Sequence, residues 1–249
     1  MFPMPSPAWR DPLTGDWSYH PAADCPGGEV GLWDGGNPPP LRLHFHDQDQ
    51  MTLVIEGTRH FLVAGKGMTI SAGEALLFPA GTLHQALAGP RARCVNLYRP
   101  ASAGSAGPRT RERRRTRLLA LGSATAAATE EGRSREGYSR SFRRENGASP
   151  CFFSIADRLA QARALLRDGC PVVDAALESG FSDQSHLGRL FRQAFGTTPA
   201  RYRRSHSFQT RPESPDILLA AKEAWEACGS DGSTTACHIF TMGRRPPGI

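Results

Sequence analysis

Residues 171–204, PVVDAALESGFSDQSHLGRLFRQAFGTTPARYRR, constrain this chain more than any other stretch, because they admit little except a short helix, a tight corner and a second helix. Val172 to Ser179 has helical spacing, Gly180 offers the left-handed residue that ends it, and Ser182 is expected to cap the next helix. Phe181 is placed to plug the corner. At about 100° per residue, Leu187, Leu190, Phe191 and Ala194 share one side of the second helix, while Gln184, Ser185, Gly188, Arg189 and Arg192 share the other. The first face packs and the second is free to enter a groove. Gln can bond adenine in two places, Arg can do the same to guanine, and Gly188 lets the helix backbone come close to base edges. An ordinary amphipathic hairpin with a solvated basic face would show the same turn.

An internal repeat separates the two readings. Forty-nine residues before Leu187, Arg189, Phe191, Arg192, Gly196 and Pro199 stand Tyr138, Arg140, Phe142, Arg143, Gly147 and Pro150, and Thr198 has its counterpart in Ser149. Between the copies, Ile155, Leu159, Ala162, Leu165 and Leu166 fall at helical spacing, so one amphipathic helix over about 152–167 joins two related units.

With the repeat, residues from about Ser134 to Arg204 resemble the DNA-binding domain of the AraC/XylS family of bacterial transcription regulators. The resemblance implies two helix-turn-helix units held by a linking helix and presented to successive major grooves of double-stranded promoter DNA. It implies base-facing positions at Gln184, Ser185, Gly188 and Arg189, with Arg192 and Ser182 nearer phosphate. Ser134, Arg135, Glu136, Ser139 and Arg140 fill the corresponding places in the first unit. Arg143, Arg144 and Arg203 read better as solvated or backbone-contacting charges. The opening helix of the first unit departs from the family pattern: 123–132 is SATAAATEEG, with alanines where large apolar residues normally pack. That predicts a thin core and a degenerate first unit.

Charge supports the same division of labour. Residues 1–100 carry 7 Lys plus Arg against 9 Asp plus Glu, whereas 101–210 carry 19 against 10. The basic excess lies in the half with the repeat, as expected of a domain that meets a polyanion. Six arginines fall within 109–117, RTRERRRTR, after the small-residue stretch ASAGSAG, and read as a linker.

The N-terminal half follows a different pattern. From Leu41 onward, runs such as 51–55, 59–63, 67–70 and 75–79 are separated by Gly-bearing turns, the spacing of a small antiparallel barrel or sandwich. His44 and His46, two apart on an extended chain, project to the same side. With the later Gly57, and with Gly73, Pro79, Gly81 and His84, they resemble the two cupin motifs. Gln50 stands where the first motif has Glu, the opening Gly is missing, and Ala88 replaces the closing Asn of the second. The resemblance implies a divalent metal on His44, His46 and His84 or, with the anionic ligand lost, a metal-free effector pocket formed by His44, His46, Gln50 and His84 at the barrel mouth. The second reading is favoured, so no cofactor is expected. His20 and His60 read as surface or hydrogen-bonded residues.

The expected fold is thus α+β: an N-terminal antiparallel cupin-like β-barrel at 1–100, an Arg-rich linker at 101–120, an all-α domain with two helix-turn-helix units at 121–204, and an unassigned tail at 205–249 with a short helix near 216–227. The expected function is a non-enzymatic transcription regulator, an activator by family habit, that answers a small-molecule effector. The alternatives are a metal-dependent cupin enzyme and a decayed regulator that binds DNA nonspecifically. RNA polymerase and a second copy of the chain complete the expected partners. No run of 18 apolar residues and no signal-like start occur, and the six cysteines show no CxxC pairing, so a cytoplasmic, reduced protein without membrane contact is expected.

Overall fold

A computed structural model describes residues 17–22, 25–34, 36–63, 65–101 and 116–207, with short pieces at 219, 222–223, 225–226 and 238–241. The Arg-rich run up to 115 and most of the tail lie outside the described residues. Among the described residues no helix is long and apolar enough to cross a membrane.

The N-terminal half forms two antiparallel sheets. Its strands are β1 (Ser18–Pro21), β2 (Glu29–Asp34), β3 (Gln48–Glu56), β4 (Thr58–Val63), β5 (Lys66–Ser71), β6 (Glu74–Phe78), β7 (His84–Ala86) and β8 (Arg93–Pro100); β9 (His238–Thr241) is contributed by the far end of the chain. The larger sheet runs β1-β2-β8-β3-β6-β9 and the smaller β5-β4-β7. Alternation decides which side chains face inward. On β4, Arg59, Phe61 and Val63 are buried while Thr58, His60 and Leu62 are half-buried. Phe61 meets Phe78 of the facing sheet edge-on at 5.3 Å. Gly57 joins β3 to β4 at φ +78°, where an added Cβ would lie 2.3 Å from the Arg91 carbonyl oxygen, so only glycine fits this corner.

Two strands precede Leu41, the point from which the sequence predicts strands. β1 and β2 form a hairpin across Pro26-Gly27-Gly28, with Ser18 opposite Leu32 and Pro21 opposite Glu29. The turn residues dominate the composition there and mask short flanking strands. The tail also takes part: β9 pairs with β6, and Trp225 packs against the outer apolar face formed by Val30, Met51, Leu53, Ala75, Leu77, Val95 and Leu97. Arg99 lies over the Trp225 ring at 4.7 Å.

The C-terminal half is helical: α1 (116–121), α2 (Ala124–Glu130), α3 (Arg135–Asn146), α4 (Pro150–Arg167), α5 (Val172–Glu178), α6 (Gln184–Phe195) and α7 (Pro199–Ser207). The 49-residue repeat appears as two helices of 12 residues, α3 and α6. Both end at a left-handed glycine, Gly147 at φ +79° and Gly196 at φ +71°. Ser149 caps α4 with Pro150 in its first turn, a position that needs no backbone N–H. One expectation is corrected. The cap of α6 is Asp183, whose side chain accepts from the His186 N–H at 2.8 Å, and Ser182 instead donates to Asp183 at 3.0 Å. Asp183 still has extended backbone, so the helix begins one residue later than Ser182 would allow.

The alanines of α2 are packed. Ala127 and Ala128 are buried in a cluster with Tyr138, Phe142 and Phe153, and the large side chains missing from α2 come from elsewhere: Leu118 of α1, and Phe45 and Leu83 of the sheet domain. Phe45 stacks on Phe153 at 5.3 Å. Small residues let helices approach closely, and neighbours supply the volume. Leu118→Ala is therefore expected to cost about 2–5 kcal/mol, read by urea denaturation. A loss well below that range would show that α1 does not complete this core.

Candidate functional site

The sheet half and the helical half share one hydrophobic core. Trp17, Tyr19, Phe78 and Tyr98 from the sheets lie in the same buried cluster as Leu159, Leu190, Phe191, Phe195 and Tyr202 from the helices. At its centre is a carboxylate. Glu29 is fully buried, bonded to Arg163 of α4 at 2.5 Å, to the Tyr202 hydroxyl of α7, and to His206 at 3.0 Å. Arg163 also donates to Gln48 at 3.1 Å, and its guanidinium lies over the ring of Tyr98 at 4.3 Å. Arg167 extends the contact to Gln48 and Asp47 at 2.8 and 2.9 Å. None of these residues was singled out in the sequence. Arg163 had a signal, since it stands four residues after Leu159, on the apolar stripe of its helix.

His44, His46 and His84 converge as expected, brought together by an isolated bridge between the backbones of His44 and His84. Their place is corrected: they are only 2–3% exposed, so they do not stand at an open mouth. Phe195 of α6 covers them, with ring centroids 5.2 Å from His44 and 5.8 Å from His46. Burial, then the neighbouring His84, holds His44 well below the usual imidazole range. For His46 burial leads, followed by Arg163, and for His84 burial outweighs the bond to the Thr82 carbonyl and brings it to about 4. His44 and His84 each turn Nδ1 to a backbone carbonyl, of Arg42 at 2.6 Å and Thr82 at 2.8 Å, so that Nε2 is the nitrogen left to meet a ligand. Among the described residues neither ring nitrogen of His46 has a partner in good hydrogen-bond geometry, although the Gln50 side chain is close enough to oppose the lowering. Neutral rings with such nitrogens fit a divalent ion. The three ligand atoms lie within 4.8 Å of one another, slightly wider than two bonds of about 2.1 Å can span, so an ion would draw the rings inward. Gln50 would add only a neutral carbonyl.

Beside the histidines lies a cavity whose free centre is ≈ 10 Å³, room for about one water. Trp17, Tyr19, Gln50, Arg59, Phe61, Asn96 and Tyr98 are among its walls. Gln50 donates to Thr52 at 3.0 Å, and Thr52 to Asn96 at 2.7 Å. Its roof is tied to the end of α6. The Tyr19 hydroxyl donates to the Phe195 carbonyl at 2.8 Å, and the Arg42 N–H to that of Gln193 at 2.6 Å. Trp17 lies so close to Gly196 that an added Cβ there would be 2.3 Å from its ring.

The opposite face of α6 is open. Gln184, Ser185, Arg189 and Arg192 are exposed and Gly188 is half-buried with open space around it. On α3, Arg135, Glu136 and Arg140 are exposed and Ser139 is half-buried. Ser134 is exposed but caps α3, accepting from the Gly137 N–H at 3.1 Å. Arg143 and Arg144 are exposed as well, and Arg203 reaches the Gly169 carbonyl at 3.4 Å.

The docking network carries a pH dependence. Burial raises the Glu29 carboxyl, but Arg163 and the bonds from His206 and Tyr202 outweigh it, and the net displacement is downward. A carboxyl depressed in the folded state stabilises fully above its unfolded value of about 4.3, and that stability is lost as pH falls through the folded value. Glu29→Gln leaves Arg163 buried without its partner and should cost about 3–5 kcal/mol near neutral pH, with a flatter acid limb in a plot of Tm against pH. An unchanged acid limb would remove Glu29 from the acid transition.

Comparisons with known proteins agree with this division. Residues 28–92 match the family profile described as "Cupin domain", and residues 127–205 match "Helix-turn-helix domain". An uncharacterized HTH-type transcriptional regulator, YbfI of Bacillus subtilis (strain 168), is 44% identical over 48 residues, 19% of this chain and 18% of that protein. The transcriptional activator NphR of a Rhodococcus species is 44% identical over 48 residues, 19% of this chain and 14% of that protein. The matches thus span less than a fifth of either relative. Among solved structures, ToxT of Vibrio cholerae, crystallised with an unsaturated fatty acid, aligns over 78% of this chain and 97% of its own, at 10% identity and a TM-score of 0.45. The chain thus carries a region similar to cupin domains followed by a region similar to helix-turn-helix domains, the second shared with transcriptional regulators over a short stretch.

Proposed function

We propose that the protein is a transcription regulator, an activator, that reads promoter DNA with α6 and α3 and answers a small molecule held between its two sheets. The observation that carries this reading is the seat of α6. Its exposed face holds Gln184, Ser185 and Arg189, while its last turn covers the histidines through Phe195 and meets the cavity walls where the Phe195 carbonyl accepts from Tyr19 and Gly196 lies against Trp17. A ligand that alters the pocket roof acts on the same rigid helix that meets DNA, so ligand and DNA must change each other's affinity by the same factor.

In this reading the helix pairs α2–α3 and α5–α6 are two helix-turn-helix units joined by α4, and the two sheets are the halves of a cupin-like barrel. The sheet domain runs to about residue 101 and the DNA-binding domain from α1 to α7. Gln184, Ser185, Gly188 and Arg189 face bases, with Arg192 and Ser182 nearer phosphate; Ser134, Arg135, Glu136, Ser139 and Arg140 serve the first unit. His44, His46, Gln50 and His84 belong to the effector pocket. RNA polymerase and a second copy of the chain are the further partners, and the protein works in the cytoplasm without catalysing a reaction.

Fluorescence anisotropy with the DNA upstream of the protein's own gene and a scrambled duplex, at two salt concentrations, tests the reading. Specific binding should survive added salt better than binding to the scrambled duplex. Equal, salt-sensitive binding to both would sink it and leave a nonspecific DNA binder. Arg189→Ala should weaken the specific complex by about 1–3 kcal/mol and the scrambled one far less; an equal loss on both would make Arg189 a phosphate contact.

A second reading, a metal-dependent cupin enzyme, is favoured by the convergence of the three histidines and the unpartnered nitrogens of His46 among the described residues. Metal analysis of the purified protein separates them: a stoichiometric divalent ion that His44→Ala removes supports the enzyme, and absence of metal after loading supports the regulator.

A further inference from the structure

The cavity between the sheets contains a cation that nothing in the described residues neutralises. Arg59 takes the inward register of β4, one alternation before Phe61 and Val63, and is 1% exposed. Its Nε and Nη1 have no hydrogen-bond partner among the described residues. The guanidinium stands 5.6 Å over the Phe61 ring, and the titratable neighbour nearest in effect, the Cys94 thiol, is pushed up by burial to about 11 and is therefore neutral. Arg163, the other buried arginine, is already matched by Glu29. The neutral histidines and Tyr98, raised by burial to about 12, add no negative charge. An isolated guanidinium in such a place is strongly unfavourable until an anion joins it.

The other unpaired groups on the cavity wall are consistent with an anion. Among the described residues Trp17 Nε1 is a buried donor without an acceptor, and Gln50 Oε1 is a wall acceptor without a donor in good geometry. Donors exceed acceptors, as a ligand rich in acceptor oxygens requires. One uncompensated positive charge matches a monoanion better than a phosphate dianion, and the planar guanidinium fork matches a carboxylate. Leu41, Phe61 and Ala86 supply apolar walls for the rest of a ligand.

We infer that the effector is a small organic monocarboxylate, its charged group held by Arg59 and Trp17 and its body against Phe61 and Leu41. This rests on the proposed role of the pocket as an effector site. Because the free centre is only ≈ 10 Å³, a ligand larger than a water-sized group enters by displacing a wall. Trp17 is wedged between this cavity and Gly196, so its displacement presses on the end of α6. Occupancy of Arg59 is thereby converted into a change in how the DNA-reading helix is seated.

The test uses the full chain at constant ionic strength in chloride. Acetate, butyrate and benzoate are compared with acetamide, butyramide and benzamide by calorimetric titration and by the shift in Tm, in the wild type and in Arg59→Met. At least one carboxylate should bind and raise Tm while its amide does neither, and Arg59→Met should weaken that binding about tenfold or more. The same variant should raise the Tm of the ligand-free protein, because an unpaired buried charge has been replaced by an apolar side chain of similar length. The inference is overturned if none of the carboxylates binds, if the amides bind equally well, if Arg59→Met keeps its affinity, or if that variant unfolds or loses stability without ligand, which would make Arg59 a structural group. DNA anisotropy on the same samples keeps the readings apart. Specific DNA binding without carboxylate binding ends the inference alone, and carboxylate binding through Arg59 without specific DNA binding ends the regulator reading alone.

Discussion

The rest of the structure depends on the burial of Glu29 against Arg163. A carboxylate cannot lie at zero exposure without charge and hydrogen bonds to replace water, and here the replacement comes wholly from the other half of the molecule: Arg163 on α4, Tyr202 and His206 on α7. A buried ion pair is poor evidence of net stability, since well-packed apolar residues often do as well. What it does supply is orientation. Either partner left alone would be a buried charge, so the two halves have one favourable way to meet.

That single seating creates the candidate site. The cupin-like sheets do not enclose the histidines by themselves; Phe195 closes over them from the helical half. The end of α6 is further fixed by bonds from Tyr19 and Arg42 and by the ring of Trp17 against Gly196. The covered histidines and the face proposed to meet DNA thus lie on two sides of one helix of 12 residues. Few packing arrangements couple two sites over so short a path, because helix backbones move as rigid bodies while side chains around a cavity can be pushed aside.

The two helical repeats are seated differently. The second joins the large core through Leu187, Leu190, Phe191 and Phe195, whereas the first relies on Leu118, Phe45 and Leu83 to complete a core that its own alanines leave shallow. The first repeat is therefore held by the sheet domain as much as by its own helices. Under the proposed function, a ligand-driven change at the domain boundary would reach both repeats, through Phe45 on Phe153 in one case and Phe195 in the other.

The sequence by itself determined everything that depends on local spacing. The corner at Gly180-Phe181, the polar face of α6, the repeat of 49 residues and the pairing of His44 with His46 all follow from periods of 3.6 and 2 and from residues that tolerate a left-handed backbone. The hairpin of β1 and β2 did not show, because two short strands around Pro26-Gly27-Gly28 carry no clear periodicity. Arg163 and Arg59 left faint traces, each a charge in an apolar register, on α4 and on β4. Only the tertiary structure decided what those charges mean. Arg163 finds its partner 134 residues away in Glu29, and Arg59 Nε and Nη1 find none among the described residues. Pairing across such distances is set by how two domains pack, and no local pattern encodes which buried charge will be matched and which will be left for a ligand.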